Sequence, residues 1–90
     1  AFRKEVINME EIKVHGVYRH FKGDYYLVEG IAKNADDLRL YVVYRALYGE
    51  GEQWICPVED FLGKVNHEKY PDVTQENKFE LQNILSKRHG

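Results

Sequence analysis

From Val14 to Cys56 the chain is a series of aromatic and β-branched runs, each closed by a short turn rich in Gly, Asn or Asp. Val14 to Phe21 reads as one strand and Tyr25 to Lys33 as the next, with Gly23-Asp24 as the hairpin signal between them. In the second run Tyr26, Val28, Gly30 and Ala32 fall on one face, and their decreasing size suits the inner wall of a tight barrel. Asn34-Ala35-Asp36-Asp37 is a polar turn. Leu38 to Tyr48 is the longest strand candidate. Leu38, Leu40, Val42, Tyr44, Ala46 and Tyr48 share one face, and Arg39, Tyr41, Val43, Arg45 and Leu47 share the other. Gly49-Glu50-Gly51-Glu52 forms another turn, and Gln53 to Cys56 a short strand that Pro57 ends or holds at an edge. Val58 to Val65 reads as a helical turn around Phe61 and Leu62, followed by a closing strand.

Outside this body the pattern changes. Residues 1–12 carry Phe2, Val6 and Met9 at helical spacing, which fits a short helix or an N-terminal extension. Residues 66–90 read as a loop and then a helix from about 75 to 88, with Leu81, Ile84, Leu85 and Arg88 on one face and Phe79 off it. The expectation is a mainly β domain: a small SH3-like barrel of four to five antiparallel strands over residues 13–65, with a C-terminal helix docked on it or on a partner. The SH3-like step is by analogy.

Composition limits what such a domain can do. At 90 residues there is one core and no second domain. With 43% apolar and 31% charged residues the chain is folded, not disordered. A formal charge of −2 removes bulk attraction to nucleic acid or anionic lipid, leaving only a local basic patch for such a role. Cys56 is the single cysteine, so no intrachain disulfide and no zinc site of paired thiolates can form. A free thiol, no membrane-length apolar run and no signal-peptide pattern lead to a cytoplasmic expectation, and Ala1 in place of Met marks a processed or cut start.

Four blocks resemble a known family. They are Gly16-Val17-Tyr18-Arg19-His20-Phe21-Lys22-Gly23, Tyr26 to Ala32, Val42 to Gly49, and Trp54 with Pro57 and Phe61. In this order they resemble the bacterial YRHFKG-type domain of unknown function, DUF1653, over about residues 13–65. Two positions depart from the family pattern. Asn34-Ala35-Asp36-Asp37 replaces a His-Ser-Glu-Thr-like turn, and Cys56 stands where an arginine is frequent. If that arginine contacts a ligand, affinity or choice of ligand differs in this chain. The resemblance implies no activity, and the expected C-terminal helix lies outside it.

The candidate site is Arg19, His20, Lys22 and Arg45 among Tyr44, Tyr48 and Trp54, with Tyr18 and Tyr26 nearby. Guanidinium forks suit phosphate or carboxylate, and aromatic faces accept a stacked planar group. A nucleotide or a nucleic-acid segment fits that chemistry. The plainer reading makes the tyrosines core and pairs the arginines with Asp24, Glu29 or Glu50. Strand alternation puts Arg19 and His20 on opposite faces unless a bulge intervenes. The second class of function is a protein-interaction or self-association module, using the edge near Pro57 or the C-terminal helix with Phe79, Leu81 and Leu85.

Nothing in the sequence marks an enzyme. His20 lacks a neighbouring nucleophile and reads as a hydrogen-bonded structural histidine. His15 and His20 point to opposite faces and form no metal pair, while His67 and His89 read as solvent-facing. Cys56, between Ile55 and Pro57, reads as a packed small residue. Asp36-Asp37 and Glu59-Asp60 lack the spacing of a calcium loop, and Gly49-x-Gly51 is too short and acidic to cradle phosphate. No cofactor, metal or membrane role is expected.

Overall fold

A computed structural model describes residues 12–83. Five strands form one antiparallel sheet: β1 (Val17–His20), β2 (Tyr25–Lys33), β3 (Leu40–Ala46), β4 (Gln53–Pro57) and β5 (Phe79–Leu81). A single helical turn, α1 (Val58–Phe61), follows β4 directly. The order across the sheet is β4-β3-β2-β1-β5. The mainly β expectation holds, but the sheet stays open, with β4 and β5 as its edges. Among the described residues no helix is long and apolar enough to cross a membrane.

The turns form where their chemistry directs. Gly23 has φ 109°, a conformation only glycine adopts readily, and its N–H donates to the His20 carbonyl at 2.7 Å. In the next turn the Asn34 side chain accepts the Asp36 N–H at 2.7 Å. Leu38 lies inside this turn at φ 63° and is exposed. It therefore does not begin the inner row of β3, which starts at Leu40.

A bulge decides which side chains of β2 enter the core. Val28 pairs with Tyr44, but Gly30 pairs with Val43, so Glu29 is the extra residue. A one-residue shift reverses every side chain beyond it. Tyr26 and Val28 face inward as expected, whereas after the bulge Ile31 packs on the core and Ala32 is exposed. The tight-barrel reading of Gly30 and Ala32 is thereby overturned: a Cβ placed on Gly30 would meet no atom within 4 Å.

The core lies on one face of the sheet, between it and the segment that follows β4. Val28, Val42 and Phe61 are fully buried, with Ile12, Tyr18 and Val58 around them. Phe61 meets Tyr18 edge-on at 5.1 Å and stacks on Phe79 at 4.2 Å with 7° between the rings. Beyond α1 the expected closing strand shrinks to one bridge, Lys64 with Asn77.

The expected helix from about 75 to 88 is corrected by β5. Phe79 and Leu81 fall on the inner face opposite His20 and Tyr18, with Glu80 on the outer face opposite Arg19, which is strand alternation. The helical stripe left out Phe79, yet Phe79 makes the principal contact. Pairing with β1 also covers backbone groups that would otherwise form an open edge. Residues 84–88 of that expected helix, and all but Ile12 of the expected N-terminal element, lie outside the described residues.

Phe61→Ala should lower the unfolding free energy by about 3–5 kcal/mol. Phe79→Ala should cost somewhat less because the ring is half-buried. Leu81→Ala, at a side chain 48% exposed, should cost least. Urea unfolding curves in that rank order check the strand assignment, since a helix centred on Leu81 would place Leu81→Ala above Phe79→Ala.

Candidate ligand-binding face

The inner face is covered unevenly. Around Val28 and Val42 it is sealed by α1. Towards the other ends of the strands lie the partly exposed rings of His20, Tyr26, Tyr44 and Phe79, with Tyr48 and Trp54 more open still. Parity puts them together: Tyr26 faces Ala46 across β2 and β3, and Tyr44 faces Trp54 across β3 and β4. The rings hold one another edge-on, Tyr26 against Tyr44 at 5.3 Å, Tyr48 at 5.6 Å and His20 at 6.2 Å. Such contacts fix ring orientation and leave part of each ring's surface open.

The Tyr26 and Tyr48 hydroxyls are hydrogen-bonded at 2.8 Å. Burial, then this bond, raises the pKa of Tyr26 well above the usual phenol value. Burial, then the neighbouring Cys56, pushes Tyr44 up to about 12. Both phenols are therefore neutral donors and acceptors near pH 7. Burial also raises the Cys56 thiol to about 11, which keeps it protonated and a poor nucleophile.

His20 ends the row of rings. Its Nδ1 accepts the Lys22 N–H at 3.1 Å, so that nitrogen carries no proton. Burial lowers the His20 pKa, and the ammonium groups of Lys22 and Lys78 lower it further against the opposing pull of Asp24. A neutral imidazole is the resulting form. Beyond it Phe21 lies 4.4 Å from His20 and 5.0 Å from Tyr70, leading into a cleft of about 430 Å³ that Lys22, Lys64, Lys69 and Lys78 also line.

Of the sequence-derived site residues, His20, Tyr44, Tyr48 and Trp54 come together on this face and Lys22 stands at its end. Arg19 and Arg45 do not join them. Both lie on outer-face positions, Arg19 opposite Tyr25 and Glu80, and Arg45 opposite Leu27 and Gln53. Arg45 Nε donates to Glu29 at 2.8 Å and its Nη1 to the Gly51 carbonyl at 2.8 Å. Arg19 Nη1 donates to Gln75 Oε1 at 2.8 Å. The bulge turns Glu29 towards Arg45 and Gln53, and those two hydrogen bonds hold its carboxyl below the usual range. Sequence reasoning missed Phe79, Tyr70, Lys64, Lys69 and Lys78. The lysines share no periodicity, and only Asn66, whose side chain caps the 66–69 turn, hinted at how that loop folds back. Among the described residues no three His, Cys, Asp or Glu side chains gather as a metal group would require.

The profile of DUF1653, described as a protein of unknown function, matches residues 16–81. The chain belongs to the DUF1653 family. The match reaches past the 13–65 region whose motifs resemble the family and includes β5, so the sheet's last strand is part of the family unit. A crystal structure of a DUF1653 protein from Bordetella bronchiseptica is similar to it, with 25% identity and a TM-score of 0.68. The similarity covers 89% of this chain and 99% of that one. Among curated proteins nothing matches.

The depressed His20 pKa has a definite sign. The unfolded imidazole takes up a proton near pH 6.5, while the folded one resists until lower pH. Stability should therefore fall as pH drops from about 7 through 6.5, and level off below the folded value. Urea midpoints between pH 7.5 and 5.5 should show this loss. His20→Asn, which keeps an acceptor for the Lys22 N–H, should flatten it.

Proposed function

We propose that this DUF1653 chain is a small binding module for an anionic ligand with a planar group, such as a nucleotide. Tyr44, Tyr48 and Trp54 receive the planar group, and His20 and Lys22 stand towards the anionic part. The observation that carries this reading is the row of partly exposed rings that runs without a break from Tyr48 through Tyr26 and His20 to a lysine-lined cleft. Exposed rings beside cations suit stacking combined with charge recognition. Arg19 and Arg45, engaged on the outer face, play a structural part in this reading.

Trp54 is the chain's sole tryptophan, so its fluorescence reports directly on the face. A panel of nucleotides should include a binder that changes this signal. Tyr48→Ala, followed by the Trp54 signal, and Trp54→Ala, followed by amide NMR shifts, should each weaken binding about tenfold, in line with ~1–3 kcal/mol per stacked base, whereas Arg45→Ala should not. A folded protein whose Trp54 signal and amide NMR spectrum ignore the whole panel refutes the reading.

A second reading, self-association, is favoured by one observation. β4 is an edge strand with Trp54 exposed on the inner face and Ile55, 62% exposed, on the outer. Such an edge can pair with a second copy through its backbone. The version carried by a C-terminal helix loses Phe79 and Leu81 to β5. Light scattering should then give a dimer mass that Ile55→Lys returns to a monomer; a monomer at high concentration rejects it.

A further inference from the structure

The lysine cleft is built in a way that the folding of this chain alone does not require. It lies between the β1–β2 turn and the loop from Lys64 to Tyr70, with Lys78 closing it just before β5. The cleft is lined by Lys22, Lys64, Lys69 and Lys78 with His20 and Tyr70, and no carboxylate lines it. Among the described residues none of the four lysines makes an ion pair, whereas Arg39 and Arg45 both do. Lys64 reaches only the neutral Asn77 Oδ1, at 3.4 Å. Lys22 and Lys69 approach the same Tyr70 ring, their ammonium groups 5.7 and 5.5 Å from its centroid. Like charges converging without a counterion repel one another. In a chain of net charge −2 this clustering runs against the average.

We infer that this cleft binds a chain of linked phosphate groups, as in a nucleoside di- or triphosphate. The inference rests on reading the chain as an anion-binding module, and it names the anion. Four lysines lining about 430 Å³ carry more positive charge than one carboxylate or one phosphate balances, and the volume falls in the range of small-ligand sites. Lysine, a mobile point charge, suits phosphate oxygens in several positions without demanding one geometry. The tilted contact of Phe21 with His20 joins the cleft to the ring row, so a phosphate chain held here lies at the end of the face proposed for its planar group. A long nucleic acid is disfavoured by the overall negative charge.

The test uses ¹⁵N-labelled full chain titrated with inorganic tripolyphosphate, orthophosphate, adenosine and a short single-stranded oligonucleotide. Tripolyphosphate should shift the amides of Lys22, Lys64 to Tyr70 and Lys78, and bind at least tenfold more tightly than orthophosphate. Lys64→Glu and Lys69→Glu should each weaken it tenfold or more with unchanged urea midpoints, and Lys64→Gln by less. Lys33→Glu, a charge reversal at an exposed lysine at the far end of β2, should leave it alone. Absent cleft shifts in a folded protein, indifference to charge reversal, or binding of the oligonucleotide but not tripolyphosphate would each overturn the inference. If adenosine shifts Trp54 and tripolyphosphate leaves the cleft silent, only the phosphate assignment falls. If tripolyphosphate fills the cleft and neither adenosine nor any nucleotide moves Trp54, the planar-ligand reading falls instead.

Discussion

The stack of Phe61 on Phe79 holds the two ends of the fold together. Phe61 arrives on the single turn that Pro57 starts, and Phe79 arrives on the last described strand. Neither element could persist by itself, since one helical turn is far below the length of a stable isolated helix and a three-residue strand has little ladder. Face to face at 4.2 Å, they bury each other over Tyr18 and Tyr44. The intervening loop is thereby pulled across the sheet, and its lysines are carried to the end of β1.

Pleat parity then sorts the polar chemistry. Inner positions near the strand ends hold rings that touch rings, and outer positions hold charges that find partners. Arg45 lies between Glu29 and Gly51, while Arg19 is held by Gln75, whose amide also donates to the Arg19 carbonyl at 2.9 Å. These arginines are used up in stitching β1, β2 and β3 to neighbouring loops. Among the described residues the cleft lysines have no carboxylate partner, only the long Lys64 contact with Asn77 and the ring of Tyr70, which is why the two kinds of cation merit different functional readings despite their similar charge.

Much of this was legible in the residues. The turns at Gly23, Asn34 and Gly49 to Gly51, and the inner row Leu40, Val42, Tyr44 and Ala46, follow from turn chemistry and a period of two. So did the opposition of Arg19 and His20. The bulge at Glu29 was not legible, because nothing local distinguishes an inserted residue from a paired one; only the partner strand reveals it. β5 was missed for a related reason. Phe79 and Leu81 give too short an alternation to compete with the helical spacing of residues 81–88, and their role depends on an edge of β1 more than fifty residues earlier in the chain. The aromatic half of the candidate site could be read from the sequence, but of the lysine half only Lys22 could, since Lys64, Lys69 and Lys78 reach it only through the path of the 62–78 loop.

Cys56 occupies β4, an edge strand held on one side by β3 alone. With its thiol at about 11, the thiolate at pH 7 is on the order of one part in ten thousand of the folded population. Alkylating reagents attack the thiolate, so the native form is nearly inert to them. Marking faster than that residual thiolate allows would report Cys56 leaving its buried place beside Tyr44 of β3, and anything that seats on that edge would suppress the excess.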